Sequence, residues 1–141
     1  MNEITITELG SVSLRSDPAN PPFLTLVSSS HASSMGKVFR LYDDESLIGR
    51  APGAQCRIWD PGVSRQHAKI VRQPNGDYVL IDLGSTNGTY LNGLKVKSAS
   101  LHDGDRIQVG TVTALKFTIG NEPDEREERL RQALAYFGRR A

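Results

Sequence analysis

The chain has only one cysteine, Cys56, which rules out an intrachain disulfide framework. That lone thiol fits a reducing compartment. It also lacks a dominant charge: 17 Lys and Arg against 16 Asp and Glu leave a net charge of +1. Electrostatic binding to nucleic acid needs a dense basic footprint, and none is present, although a local positive pocket stays open. No apolar run approaches transmembrane length, so no membrane partner is expected. The start, Met1-Asn2-Glu3, has neither a basic n-region nor an apolar h-region. No signal peptide is expected, and the expected location is the cytosol. The three histidines, His31, His67 and His102, lack metal-ligand spacing, and there is no paired Cys. Neither a metal nor a cofactor is expected. No repeat of fixed period stands out.

What remains is a chain of 141 residues, enough for one domain with a real core and short tails. Three zones appear. Residues 1–22 are rich in Ser, Thr, Pro and Asn and end in Asn20-Pro21-Pro22, which reads as a flexible tail. Residues 23–120 hold short apolar runs broken by turn residues. Residues 121–141 are charged and read as a helix starting near Pro123. Acids follow that proline, Glu125 and Arg129 form an i,i+4 pair, and Leu130, Leu134 and Phe137 make one apolar stripe. That stripe predicts docking on a neighbour or a homodimer formed through the helix.

The middle zone predicts strands at 23–28, 37–41, 46–49, 57–59, 68–72, 78–82, 89–91, 94–96, 106–109 and 114–119. Phe23, Thr25 and Val27 alternate with Leu24 and Leu26, the period that sends side chains to opposite faces of a sheet. Turn signals stand between the runs at Pro74-Asn75-Gly76-Asp77, Asn87-Gly88, Asn92-Gly93 and Asp103-Gly104-Asp105. The expectation is an all-β antiparallel β-sandwich of roughly ten or eleven strands.

Three segments carry chemistry: Gly49-Arg50, Ser64-Arg65-Gln66-His67 and Ser85-Thr86-Asn87-Gly88-Thr89. In that order they resemble the signature of the forkhead-associated (FHA) family: Gly-Arg, then Ser-x-x-His, then Asn-Gly. Asp60 and Val63 before the Ser, Asp82 and Leu83 before the third segment, and Leu101, Gly104, Asp105, Ile107 and Gly110 after it also match. The resemblance spans roughly residues 23–119 and implies a non-catalytic module that binds phosphothreonine. It implies that Arg50 and Ser64 hold phosphate and that Asn87 holds the ligand main chain. Gly49 and His67 would then support the site structurally, one by close packing and one by tying loops together; Gly88 joins them as a supporting residue. Trp59 is expected partly buried beside the pocket.

The chemistry agrees on its own terms. A phosphate dianion needs charge-assisted donors, and Arg offers a rigid fork of them. Hydroxyls add short donors, and an Asn amide both donates to and accepts from a peptide backbone. Arg50, Ser64, Arg65, Thr86 and Asn87 supply this set where loops should leave strands. Each also has a plainer reading. Arg50 and Arg65 could be solvated charges, Ser64 and Thr86 could complete turns, and Asn87 could be the positive-φ residue of an Asn-Gly turn.

Other classes fit less well. Asp60, Ser64 and His67 invite a Ser-His-Asp reading, but sequence proximity is no evidence for a triad. Gly84-Ser85-Thr86-Asn87-Gly88 lacks the Gly-Lys-Ser/Thr ending of a Walker loop. The sequon Asn87-Gly88-Thr89 is irrelevant in the cytosol. A phospho-independent scaffold or oligomerisation module is the main alternative. The charged C-terminal segment resembles the connecting helix after FHA domains in bacterial diguanylate cyclases, which implies a fused output domain. Finally, Thr5 and Thr7 sit in a β-prone stretch that, once phosphorylated, would make the N-terminal tail a ligand of its own domain.

Overall fold

Alternation sets the first strand, β1 (Phe23–Ser28): Leu24 and Leu26 enter the core while Thr25 and Val27 stay half-buried. The computed structural model describes residues 21–120. The proposed tail up to Asn20 and the expected C-terminal helix lie outside the described residues. After β1 come β2 (Val38–Arg40), β3 (Glu45–Gly49), β4 (Cys56–Arg57), β5 (Ala68–Arg72) and β6 (Tyr78–Asp82). Then follow β7 (Thr89–Leu91), β8 (Leu94–Lys95), β9 (Ser98–Leu101), β10 (Arg106–Val109) and β11 (Thr113–Thr118). A 3-10 turn at Ala32–Ser34 is the one helical piece among the described residues, and none there is long and apolar enough to cross a membrane.

Two sheets result, ordered β2-β1-β11-β10-β7-β8 and β4-β3-β5-β6-β9. Their inner faces meet over Leu24, Ile107 and Phe117 from one sheet and Ile48, Ile70 and Leu80 from the other. Tyr78 and Phe117 join the layers with ring centroids 5.7 Å apart at 56°, the tilted geometry aromatic pairs favour. The all-β sandwich is thus as expected. The β7–β8 hairpin turns on Asn92 (φ 49°) and Gly93 (φ 86°), the two positive-φ positions of a type I′ turn.

Two features depart from the expectation. β4 runs parallel to β3, with Ile48 opposite Cys56 and Gly49 opposite Arg57. Parallel neighbours normally need a long crossover; here β4 is so short that the chain curls through Ala51–Ala54 and returns along β3, with the Ile58 amide bonded to the Gly49 carbonyl at 2.9 Å. That curl is the loop carrying Arg50. β9 was not expected at all. Ser-Ala-Ser-Leu has little intrinsic strand preference; it is extended because β6 offers a free edge, pairing Tyr78 with Leu101 and Leu80 with Ala99.

Candidate functional site

The loops β3–β4, β4–β5 and β6–β7 gather at one end of the sandwich and are stitched together by short bonds. The Arg50 amide donates to the Ser64 carbonyl (3.1 Å) and the Ala51 amide to the Arg65 carbonyl (3.0 Å). This approach requires Gly49: a Cβ there would sit 2.1 Å from the Arg65 carbonyl oxygen, a backbone atom with no freedom to yield. The Arg50 side chain, exposed overall, is aimed by its Nε–H, which donates to the Val63 carbonyl at 2.5 Å. Its terminal amino groups keep their donors. Among the described residues neither Arg50 nor Arg65 is paired with a carboxylate.

Ser64 Oγ accepts the Thr86 amide at 3.1 Å, so its own proton stays available as a donor. Asn87 Nδ2 donates to the Gly62 carbonyl at 2.8 Å. Asn92 alone among the described non-glycine residues has positive φ, so Asn87 is not the positive-φ residue of an Asn-Gly turn. Its amide fixes the β6–β7 loop to the β4–β5 loop and leaves the Oδ1 acceptor. Thr86 and Arg65 are exposed, and among the described residues the side chain of neither makes a hydrogen bond or ion pair.

His67 is wholly buried beneath these loops. Its Nδ1 accepts the Ser64 amide (3.0 Å), and its Nε2 lies 2.7 Å from the Gly88 carbonyl. An acceptor Nδ1 and a donor Nε2–H define one neutral tautomer. Burial lowers its pKa below the usual histidine value, against the opposing pull of the Gly88 carbonyl and Asp82. Gly88, at φ 86°, presents that carbonyl.

Neither of two acids, Asp60 and Asp82, was expected to build the site: both were read as flanking residues, Asp60 also as the acid of a possible triad. Asp60 is 1% exposed and accepts bonds from Ser29, Ser30, His31 and Thr113. Burial pushes its carboxyl up, but bonds from Ser30, Thr113, His31 and Ser29 outweigh that and hold it at about 2. It thereby pins the β1–β2 loop to the segment leading to Ser64. Asp82 accepts the amides of Gly84 and Ser85 and the hydroxyls of Ser85 and Thr89. Burial again raises and these bonds lower its pKa, with a net downward shift. The Asp82 network shapes the turn that presents Thr86 and Asn87.

The Asp60 cage predicts an acid limb in stability. A carboxyl whose folded pKa lies below its unfolded value stabilises the fold above the unfolded value, and the gain fades as pH falls through the folded one. The expected loss is about 2 kcal/mol between roughly pH 4 and pH 2. Urea midpoints at pH 7, 4 and 2.5 check it, and Asp60→Asn should lower the neutral-pH midpoint while shrinking the further fall into acid.

Trp59 contradicts its expectation. It is 60% exposed and lies under the Arg57 guanidinium, whose Cζ is 3.9 Å from the ring centroid. Beyond β4 the extended chain keeps its period: Cys56, Ile58 and Asp60 turn inward, Arg57 and Trp59 outward. Arg57 went unnoticed in the sequence because its place beside Arg50 depends on the parallel β3–β4 pairing.

The family model for the FHA domain matches residues 46–110. A solved chain from work on phosphothreonine-dependent FHA domain interactions superposes at TM-score 0.61 and 34% identity, over 72% of this chain and 98% of that one. The chain belongs to the FHA domain family. The FHA domain of FhaA, solved in complex with the intracellular domain of another protein, gives TM-score 0.59 at 35% identity, covering 68% of this chain and 98% of that one. Among curated relatives, the glycogen accumulation regulator GarA of Mycolicibacterium smegmatis is 38% identical over 90 residues, 64% of this chain and 56% of that protein. The oxoglutarate dehydrogenase inhibitor of Corynebacterium jeikeium is 42% identical over 76 residues, 53% of this chain and 51% of that one. This FHA chain therefore spans about half the length of these two relatives.

These relatives are a regulator and an inhibitor rather than diguanylate cyclases, which corrects the expected link to a cyclase output domain. They bear out the non-catalytic reading, and the geometry of the triad residues agrees. Both His67 nitrogens are engaged by backbone groups, and Asp60 is bonded to a different histidine and three hydroxyls. Asp60, Ser64 and His67 are thus not arranged as a nucleophile, its base and an orienting acid.

Proposed function

We propose that this FHA domain binds phosphothreonine in an extended polypeptide and so acts as a non-catalytic regulatory module in the cytosol. One observation carries the reading: three loops, locked through Gly49, His67 and the Ser64–Thr86 bond, bring unpaired donors together at one end. In this reading Arg50 and Ser64 hold the phosphate, Arg65 and Thr86 add donors, and the Asn87 amide reads the ligand backbone. The preformed frame lowers the entropic cost of binding. Similarity to a chain studied for phosphothreonine-dependent interactions supports it. The proposed unit is residues 23–120, with flanking segments 1–22 and 121–141.

Titration of matched phosphothreonine, phosphoserine and unmodified peptides tests this. Phosphothreonine should bind tightest, with phosphoserine weaker by about fivefold or more, because a fitted methyl contributes roughly 1 kcal/mol. Equal binding of the phosphorylated and unmodified peptides would instead favour the phospho-independent scaffold.

The same pocket also suits the chain's own N-terminal segment. Thr5 and Thr7 lie outside the described residues, but the stretch from Thr7 to Phe23 reaches about 50 Å when extended. Tethering raises local concentration to roughly the millimolar range. Phosphorylation at either threonine should therefore shift the NMR signals of Arg50, Ser64 and Asn87 and close the site to added peptide.

A further inference from the structure

We propose that Arg57 and Trp59 form a second recognition element beside the phosphate loops, one that takes a glutamate or aspartate side chain flanking the phosphothreonine of the same ligand. The inference rests on the phosphothreonine reading above and adds a specificity determinant to it.

Arg57 is held at two points. Its guanidinium lies over the Trp59 ring at 3.9 Å, and its Nε–H donates to the Arg50 carbonyl at 3.1 Å. The second bond sets it directly beside the residue assigned to phosphate. The terminal amino groups are unspent: among the described residues no carboxylate pairs with Arg57. β4 is the edge of its sheet, so among the described residues no strand covers the pair from outside.

A guanidinium stacked on an indole has given up much of its freedom before any ligand arrives. Its planar fork matches a carboxylate, which accepts two parallel N–H bonds. The exposed indole beside it offers an apolar wall for the methylenes that carry such a group. Were the pair only a lid on a surface tryptophan, it would influence stability and be indifferent to the ligand's flanking residues. The two roles are therefore separable.

The experiment walks a single Glu through the positions on either side of phosphothreonine in an otherwise alanine-flanked peptide. Its readout is the ratio of dissociation constants, Ala-flanked over Glu-containing, at each position. Wild type should show a ratio of about five at one position in low salt, shrinking as salt rises. Arg57→Ala should bring that ratio to one, whatever it does to overall affinity. Arg57→Glu should transfer the preference at that position to Lys. Trp59→Ala should reduce the ratio, and Trp59→Phe should keep most of it. A wild-type ratio of one at every position, or a ratio untouched by Arg57→Ala, overturns the proposal while leaving phosphothreonine binding in place. Failure of the Ala-flanked phosphothreonine peptide to bind wild type would overturn the underlying reading, and this proposal with it.

Discussion

Arg50→Ala should weaken binding of a phosphothreonine peptide by roughly 10- to 100-fold while leaving the melting temperature within a few degrees of wild type. The side chain is exposed, and its one internal bond is the Nε–H to the Val63 carbonyl. Its removal leaves no cavity and strands no buried charge. The terminal amino groups it loses are charge-assisted donors aimed beside Ser64 by the bond to the Val63 carbonyl, and each such bond is worth about 1.5–3 kcal/mol. Calorimetric titration and a thermal melt on the same sample decide the matter. Unchanged affinity would remove Arg50 from the site. Ser64→Ala should behave less cleanly, because Ser64 Oγ also accepts the Thr86 amide and that loop would loosen.

His67→Ala should do the opposite, destabilising the domain by about 3–4 kcal/mol. The imidazole is fully buried, and its loss opens a cavity and leaves the Ser64 amide and the Gly88 carbonyl without partners. A fall in melting temperature of at least about 10 °C is expected for a domain of this size. Binding should weaken too, through the loosened loops. A pH signature identifies the cause. The folded pKa of His67 lies below the ordinary value, so the stability it contributes is present above about pH 6.5 and is lost as pH falls through the folded pKa. Wild type should lose urea stability over that range, and His67→Ala should lack that part of the fall. A variant that melts like wild type would mean the loops do not depend on this residue.

Much of this was legible locally. The strands at Phe23–Ser28, Ala68–Arg72, Tyr78–Asp82, Thr89–Leu91 and Arg106–Val109 were found at their expected limits, because alternation and turn residues mark them within a few residues of chain. Asn92-Gly93 announced its hairpin in the same way. The candidate site residues were legible as a motif, three short segments in a fixed order. Asp60 and Asp82 were visible as neighbours of that motif, and Asp60 as the acid of a triad that the structure does not form. Asp60 accepts from partners such as Ser29 and Thr113, which are distant in the chain, whereas the donors to Asp82 lie within seven residues of it and converge only once the turn after β6 has formed.

The sequence by itself determined the class of fold and the chemical inventory of the site, since periodicity, turn chemistry and donor type are properties of neighbouring residues. Tertiary structure alone decided what those residues lie beside. Ser98–Leu101 became a strand because β6 had an open edge, not because its residues favour one. Gly49 is required because Arg65, sixteen positions on by number, passes within a Cβ's reach. The Arg57–Trp59 pair stands next to Arg50 because a two-residue strand folds back parallel to β3. Burial, pairing and close approach depend on distances between segments remote in sequence, and those distances exist only once the two sheets have packed.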